Sequence, residues 1–138
     1  ATATSKGGHF ARKVLAEFGI LDRFDFIGAA DDGGDRHHKV DVIEHTLRVL
    51  GLPAVRRDID GDGGNSGDDG HGGIGGDALP GVVMIGDRIH DVEGARRFGV
   101  PAILVGWGYG PDDERDRADA VAHTPDQLDR MAREMLGL

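Results

Sequence analysis

The chain has 138 residues, of which 38% are hydrophobic, 30% charged and 5% aromatic, and these values suit one modest globular domain. Its formal net charge of -9 at pH 7 argues against nucleic acid or an anionic membrane as partner, and its longest strongly apolar run, Val82–Ile85, is far shorter than the ~20 residues of a spanning helix. The lack of cysteine excludes disulfides and thiolate zinc sites, and we expect a reduced cytoplasmic setting.

The first part of the chain predicts a short strand, a helix, a second strand and a second helix, in this order: residues 1–8, 8–18, 24–28 and 40–50. Apolar residues recur three or four apart in both helices, which end at Gly19 and Gly51. The second strand is short and aromatic and lies between turn residues. A polar loop over residues 30–38 leads into the second helix.

The last part of the chain alternates strands with helices: strands over residues 82–85, 102–105 and 120–122, and helices around residues 91–98 and 128–136. The run Val82–Ile85 is wholly apolar, as expected of a strand buried on both faces, and it ends abruptly at Gly86. Strands separated by helices imply a parallel sheet with helices on both sides. Ligands bind at the carboxyl ends of such strands, so the residues just after each strand are the candidates for function.

Between these two parts, residues 58–77 contain nine glycines, six aspartates and no basic residue. This composition cannot offset the entropy of ordering, so we expect a flexible Gly/Asp-rich insertion within the domain. Its aspartates imitate the spacing of a calcium loop, with these residues at the expected places: Asp58, Asp60, Asp62, Gly63 and Asp69. Because Asn65 stands where an apolar residue is expected and no helix follows, we predict weak attraction of divalent ions rather than a formed site.

The first strand end with candidate chemistry carries the hydroxyl groups of Thr4 and Ser5, just before the first helix. Unpaired backbone N–H groups and the positive end of the helix dipole favour an anion at such a place. An ordinary helix cap is the alternative for the same residues.

Two further strand ends or helix starts carry charged candidates. Lys39 lies at the start of the second helix, the unfavourable end of the dipole for a cation, so either an anion lies nearby or the side chain is merely solvated. Asp87 and Asp91 follow the most apolar strand, four residues apart, and both can face the crevice at the strand ends, where oxygen ligands suit Mg2+. A turn residue and a helix cap are the alternative for this pair.

Taken together, these segments resemble the haloacid dehalogenase (HAD) superfamily and, within it, its phosphoglycolate phosphatase-like branch. Four segments match in the family's order: residues 3–6, 36–43, 83–95 and 106–110. The resemblance implies an α/β fold of the Rossmann-like, HAD type, with a parallel sheet and helices on both faces. In this family Thr4 and the amide of Ser5 would hold the phosphoryl oxygens, Lys39 would stabilise the charge shared by phosphate and nucleophile, and Asp87, with Asp91 as further ligand or outer partner, would bind Mg2+.

The resemblance also implies an activity. We expect a Mg2+-dependent phosphatase that hydrolyses a small phosphomonoester, phosphoglycolate-like or a nucleotide, through an aspartyl-phosphate intermediate. Trp107 and Tyr109 follow another strand and either border this site or serve in packing. A non-catalytic phosphate- or metal-binding domain, or an inactive fragment, is the alternative, and a calcium-responsive module centred on residues 58–77 is a third hypothesis.

One family feature is not found where it is expected. The first motif of the family, Asp-x-Asp-Gly at the end of an apolar strand, should precede Thr4, but the sequence starts at Ala1. We reject Asp58–Gly61 as the nucleophile because the residues before it make a poor buried strand and its position is out of family order. We therefore expect residues 1–138 to be the carboxyl-terminal part of one core domain without its central first strand and cap, completed by an amino-terminal segment or another chain.

Overall fold

The computed structural model describes residues 1–57 and 78–138. The expectations for residues 58–77, namely the flexible insertion, the Asp58–Gly61 motif and the calcium-like spacing, lie outside the described residues. The described residues form two units, Ala1–Ala54 and Val55–Leu138, and each has its own parallel sheet. The predicted α/β class with a parallel, Rossmann-like sheet is confirmed, and the sheet is incomplete.

The first unit consists of two parallel strands and two long helices: β1 (Thr2–Gly7), α1 (Gly8–Glu17), β2 (Ile27–Ala30) and α2 (Lys39–Val49). Both helices pack on both strands. The helix bounds agree with the sequence prediction to within a residue, and the glycines that end them, Gly19 and Gly51, have the left-handed φ values of 65° and 71°.

One expectation for the first unit is wrong. The second strand begins at Ile27 rather than at Phe24, because Leu21–Arg23 forms a short 3-10 turn from which Phe24 packs against the core. In α1, Phe10 is exposed, as is Phe18 directly after the helix. The helix instead approaches the small residues of β2 through Ala11, with the side chain of Leu15 packed against the same cluster.

The second unit contains three parallel strands in the order β3-β4-β5 and three helices between and after them: β3 (Met84–Gly86), α3 (Ile89–Arg96), β4 (Ala102–Val105), α4 (Asp112–Arg115), β5 (Ala120–Ala122) and α5 (Pro125–Leu136). The strands predicted at residues 102–105 and 120–122 are confirmed. β4 is the central strand, and its Ile103 and Leu104 are among the most buried side chains of the unit. α3 packs on β3 and β4, and α5 packs on β4 and β5.

The strand before Asp87 differs from its prediction. It spans Met84–Gly86 rather than residues 82–85, and Ile85 is 47% exposed although the run was expected to be buried on both faces. β3 is an edge strand of its three-stranded sheet, so fewer neighbours cover its side chains than cover those of β4. Across the ranges 1–57 and 78–138, no helix combines the length and apolar character needed to cross a membrane.

Candidate functional site

Thr4 lies inside β1, four residues before α1 begins, so it is not the cap of that helix. Its Oγ1 accepts a hydrogen bond from the backbone N–H of Lys6 at 3.2 Å. The pairing register with β2 shifts between Thr4 and Gly7, so the chain leaves the regular ladder directly after Thr4. The Thr4 hydroxyl and the exposed Ser5 thus lie where the ladder is interrupted, before pairing resumes between Gly7 and Ala30.

A carboxylate from a distant loop caps α1. Asp32 Oδ2 accepts a hydrogen bond from the backbone N–H of His9 at 2.9 Å, and the residue before the helix, Gly7, has no side chain to offer. A Cβ at Gly7 would collide with the Asp32 carboxylate. The expected anion cradle at this helix terminus is therefore filled by the protein's own negative charge, which the positive end of the dipole stabilises.

The loop that carries Asp32 is held closed by Arg36. The Arg36 side chain forms an ion pair with Asp31, and its Nε donates to the carbonyl oxygen of Ala29 at 3.1 Å. The Asp31 backbone N–H also donates to the Arg36 carbonyl oxygen at 3.0 Å. Sequence reasoning missed Asp32 because its partner lies 23 residues away and leaves no local spacing signal.

Lys39 is the first residue of α2, and its ammonium group turns back to the first strand. Lys39 Nζ donates a hydrogen bond to the carbonyl oxygen of Ala3 at 2.7 Å, next to Thr4 in the chain. The alternative of a merely solvated lysine is wrong, because the group is partly buried and bonded. The fold thus brings Thr4 and Lys39 to the same strand end, as expected from the sequence.

In the second unit, Asp91 holds the turn between β3 and α3. It is 7% exposed, and its Oδ2 accepts hydrogen bonds from the backbone N–H groups of Asp87 at 3.1 Å and Arg88 at 3.2 Å. A Cβ at Gly86 would collide with this carboxylate. Asp91 therefore caps α3 from its third position and fixes the backbone of Asp87.

Asp87 lies in the turn after β3 and forms a hydrogen bond with the turn after the neighbouring strand, β4. Its Oδ2 accepts a hydrogen bond from the backbone N–H of Tyr109 at 3.0 Å, and Tyr109 lies in the loop after β4. A Cβ at Gly108 or Gly110 would collide with Asp87, so the backbone of this loop lies directly against the aspartate.

Glu114 and Arg115 hold the same two turns from α4. Glu114 Oε2 accepts from the backbone N–H of Ile89 at 2.8 Å and from Nε of Arg88 at 3.1 Å. These two hydrogen bonds lower the pKa of Glu114. The bond from Arg88 has the larger effect, and the bond from the Ile89 backbone has the next largest. Arg115 Nη2 donates to the carbonyl oxygens of Gly106 at 3.0 Å and Gly110 at 3.2 Å. Sequence reasoning missed both residues, since neither follows a strand.

The two aromatic side chains of the loop after β4 differ in exposure. Tyr109 is 96% exposed, so its ring does not serve in packing, whereas Trp107 is 51% exposed and therefore half-buried. Their loop nevertheless contacts Asp87 through the Tyr109 backbone.

The carboxylates of the second unit fit a magnesium ion with few protein ligands. Over residues 1–57 and 78–138, no cluster of three or more histidine, aspartate or glutamate side chains is arranged to hold a metal ion. Mg2+ is commonly bound by one or two carboxylates together with water and substrate phosphate, so a larger cluster is not required. The donor set suits Asp87 as a direct ligand and Asp91, whose Oδ2 already accepts two backbone N–H groups, as the residue that orients it.

Comparison with known proteins concerns the family and the fold of this chain. The HAD-hydrolase-like family model matches residues 69–131. Tyrosine-protein kinase PtkA of Mycobacterium tuberculosis is 36% identical over 138 residues, which are 100% of this chain and 39% of the relative. A 5'-nucleotidase of Pseudomonas aeruginosa is 36% identical over 112 residues, which are 81% of this chain and 39% of the relative. The chain thus spans 39% of the length of these curated relatives.

A solved structure gives the same answer for the fold. The crystal structure of a predicted phosphatase from Clostridium acetobutylicum superposes with a TM-score of 0.68 at 25% identity, covering 99% of this chain and 51% of that one. The fold is thus the α/β fold of that structure. The family model, the 5'-nucleotidase relative and the solved phosphatase structure together support a HAD-superfamily, phosphatase-like fragment, as the sequence resemblance predicts.

Proposed function

We propose that this chain supplies the phosphate-binding and Mg2+-binding residues of a phosphatase that hydrolyses a small phosphomonoester, phosphoglycolate-like or a nucleotide. The observation that carries the proposal is the hydrogen bond from Lys39 Nζ to the Ala3 carbonyl oxygen at 2.7 Å. It draws an ammonium group to the strand end where the Thr4 hydroxyl lies, although 34 residues separate the two in sequence. A cation beside a hydroxyl at the carboxyl end of a parallel strand suits a phosphate.

The proposed roles are those that the resemblance to the HAD superfamily implies for each residue. The Thr4 hydroxyl and the Ser5 backbone N–H bind phosphoryl oxygens, and Lys39 neutralises the negative charge that phosphate shares with the attacking group. Asp87 holds Mg2+ and Asp91 orients Asp87 through its backbone; when bound, the ion supplies further charge neutralisation at the phosphoryl oxygens. Phosphoryl transfer requires mainly positioning and neutralisation of this kind, which such residues provide.

The nucleophile of this mechanism is proposed to lie outside residues 1–138, as an aspartate of an Asp-x-Asp-Gly motif in an amino-terminal segment or a second chain. Its carboxylate oxygen forms a bond to phosphorus while the ester oxygen leaves and takes up a proton, and water then releases phosphate from the aspartyl intermediate. The same segment would supply the missing strand of the sheet. The lack of cysteine supports a cytoplasmic setting for this enzyme.

Phosphate release tests the proposal directly. The complete protein that contains this chain is incubated with Mg2+ and phosphoglycolate, nucleoside monophosphates or an aryl phosphate. We expect Asp87→Asn and Lys39→Ala each to lower kcat/KM by about 100-fold or more, because each removes a group that neutralises charge in the transition state. Lys13→Ala, which changes an exposed lysine of α1, serves as control. Unchanged activity in Asp87→Asn or Lys39→Ala would overturn the role of that residue.

A second candidate function is favoured by one observation, the 36% identity to tyrosine-protein kinase PtkA over the whole chain. In this alternative the same residues would bind phosphate, but the phosphoryl group would pass to a tyrosine hydroxyl rather than to water. Incubation with γ-labelled ATP and a tyrosine peptide distinguishes the two. Labelled peptide in amounts equal to or above released phosphate would favour transfer, whereas free phosphate from phosphomonoesters without labelled peptide would favour hydrolysis.

A further inference from the structure

Trp107 and Tyr109 are the two large side chains of the loop after β4, and both rings are exposed beside a residue of the candidate site. Trp107 is 51% exposed and Tyr109 is 96% exposed, so burial of the Tyr109 ring in the folded unit contributes little to its stability. The Tyr109 backbone N–H donates to Asp87 Oδ2 at 3.0 Å. The loop that carries both rings is thus bonded to the carboxylate at which the proposed function places Mg2+.

The backbone of this loop is fixed on several sides. The Gly108 backbone N–H donates to the Val105 carbonyl oxygen at 3.3 Å, and Arg115 Nη2 donates to the carbonyl oxygens of Gly106 and Gly110. A Cβ at Gly108 or Gly110 would collide with Asp87. Residues 106–110 therefore carry side chains at two positions only, and both are aromatic. Exposed rings on a held backbone bind another ring at low entropic cost, because the loop does not have to be ordered on binding.

We propose that Trp107 and Tyr109, the aromatic pair, bind an aromatic ring in the leaving group of the substrate. The substrate is then a phosphomonoester of a ring-bearing alcohol, and the ring belongs either to a nucleoside or to a phenol. This inference rests on the proposed function, because it takes the Mg2+ proposed at Asp87 to lie beside the phosphate of the substrate. Stacking fits these residues since it needs only exposed π-faces and no polar partners for the rings.

Tryptophan fluorescence tests binding without requiring turnover. Trp107 is the one tryptophan of this chain, and subtraction of the spectrum of Trp107→Phe isolates its signal in the complete protein. The probes are adenosine monophosphate, phenyl phosphate and glycerol phosphate, each titrated with Mg2+ present. We expect saturable quenching by one or both ring-bearing probes and none by glycerol phosphate, and the response to the first two identifies the source of the ring. Equal quenching by all three probes, or none by any, would overturn the inference.

Substitutions then test the contribution of each ring. We expect Tyr109→Ala to raise the dissociation constant of the ring-bearing probe about tenfold and Tyr109→Phe to restore it, because the ring rather than the hydroxyl makes the contact. In phosphate-release assays, Trp107→Ala and Tyr109→Ala should each lower about tenfold the ratio of kcat/KM for the ring-bearing substrate to kcat/KM for glycerol phosphate. Phe18→Ala removes an exposed ring directly after α1 and should leave this ratio unchanged.

The outcomes separate this inference from the proposed function. An unchanged ratio in Trp107→Ala and Tyr109→Ala, with phosphate release intact, overturns the aromatic pair and leaves the phosphatase. An equal loss for all substrates shows a merely structural role of the loop and also overturns the pair. Absence of phosphate release from every phosphomonoester overturns the proposed function, and in that case the fluorescence titration decides whether the aromatic pair binds a ring.

Discussion

The turn after β1 and the turn after β3 are both held by a carboxylate from later in the chain, but by different numbers of bonds. In each, a helix follows a strand, and the carboxylate accepts a hydrogen bond from the first turn of that helix. Asp32 accepts from His9 at 2.9 Å, and Glu114 accepts from Ile89 at 2.8 Å. Asp32 is exposed and holds its helix from one side. Glu114 also binds the guanidinium group of Arg88, and the turn it holds contains Asp91 as a second, buried carboxylate.

This difference separates two kinds of site. The turn after β3 is held by charged groups from α3 and α4, so the position of Asp87 is set before any ligand binds. The connection between β1 and α1 depends on Asp32, and the exposed Ser5 precedes it within β1. In the proposed function the metal ion lies at the turn after β3, because a preset carboxylate suits its strict geometry, and the phosphate lies beside Ser5.

The largest expected effect comes from removing the buried carboxylate of the second turn. Asp91→Ala leaves the backbone N–H groups of Asp87 and Arg88 without their acceptor. We expect the free energy of unfolding to fall by about 2–3 kcal/mol, as for loss of a charged acceptor of buried donors, measured by urea denaturation. Asp126→Ala, an exposed aspartate at the start of α5, is the matched control. A loss as small as that of the control would remove the contrast between the two turns.

The next largest expected loss of stability comes from adding a side-chain atom where the loop after β4 contacts Asp87. In Gly108→Ala the new Cβ meets the side chain of Asp87, and one of the two loops must move. We expect the free energy of unfolding to fall by about 1–3 kcal/mol in thermal or urea unfolding. Tyr109→Ala removes a large but exposed side chain from the same loop and should change stability by less than about 0.5 kcal/mol. Equal stability of Gly108→Ala and wild type would show that the loop is not fixed against Asp87.

Removal of the cap in the first turn should cost less. Asp32→Ala takes away the acceptor of the His9 backbone N–H, and loss of a helix cap lowers the free energy of unfolding by about 1 kcal/mol. Asp32→Asn keeps an acceptor oxygen and should recover most of the stability in the same urea titration. Asp35→Ala changes another exposed aspartate of the loop and serves as control. If Asp32→Ala costs as much as Asp91→Ala, the two turns are held equally.

The smallest effect is a pH dependence in the second turn. The Arg88 and Ile89 bonds lower the pKa of Glu114 below that of an unfolded-chain glutamate, about 4.3. The resulting stabilisation is complete above that value and is lost as pH falls through the lowered pKa of the folded state. Urea midpoints of wild type and Glu114→Gln should therefore differ at pH 6 and converge toward pH 3. A constant difference across this range would show that the charge of Glu114 is not what binds the turn.

The parts of the fold that follow from the sequence are those with a local signal. The apolar run at residues 102–105 and the glycines after α1 and α2 mark their elements directly, and those elements lie where expected. The second strand lies later than predicted because Phe24 and Phe26 have high β propensity, whereas three of the four residues that pair, Gly28 to Ala30, have little. Tertiary packing of small residues against α1 outweighed that preference.

The candidate site divides in the same way. Lys39 begins a helix, Asp87 follows a strand, and Thr4 lies inside β1 where its regular ladder is interrupted, so the rule that ligands bind at strand ends predicts the first two more directly than Thr4. Asp32 and Glu114 are found only in the structure, because their partners lie 23 and 25 residues away and no periodicity relates them. Residues that bind a ligand are marked by the topology of the sheet, whereas residues that hold the turn are set by contacts between loops.

The alternation of glycine with aromatic residues in Gly106–Gly110 has a consequence for variation of this protein. A side chain at position 108 or 110 would collide with Asp87. We therefore expect tolerated substitutions in this loop to occur at positions 107 and 109. A library randomised at these two codons would vary the surface offered to a ligand while Asp87 keeps its backbone contacts. Because the aromatic pair is proposed to bind the leaving group, selectivity is then expected to diversify at positions 107 and 109 separately from the chemistry at Asp87.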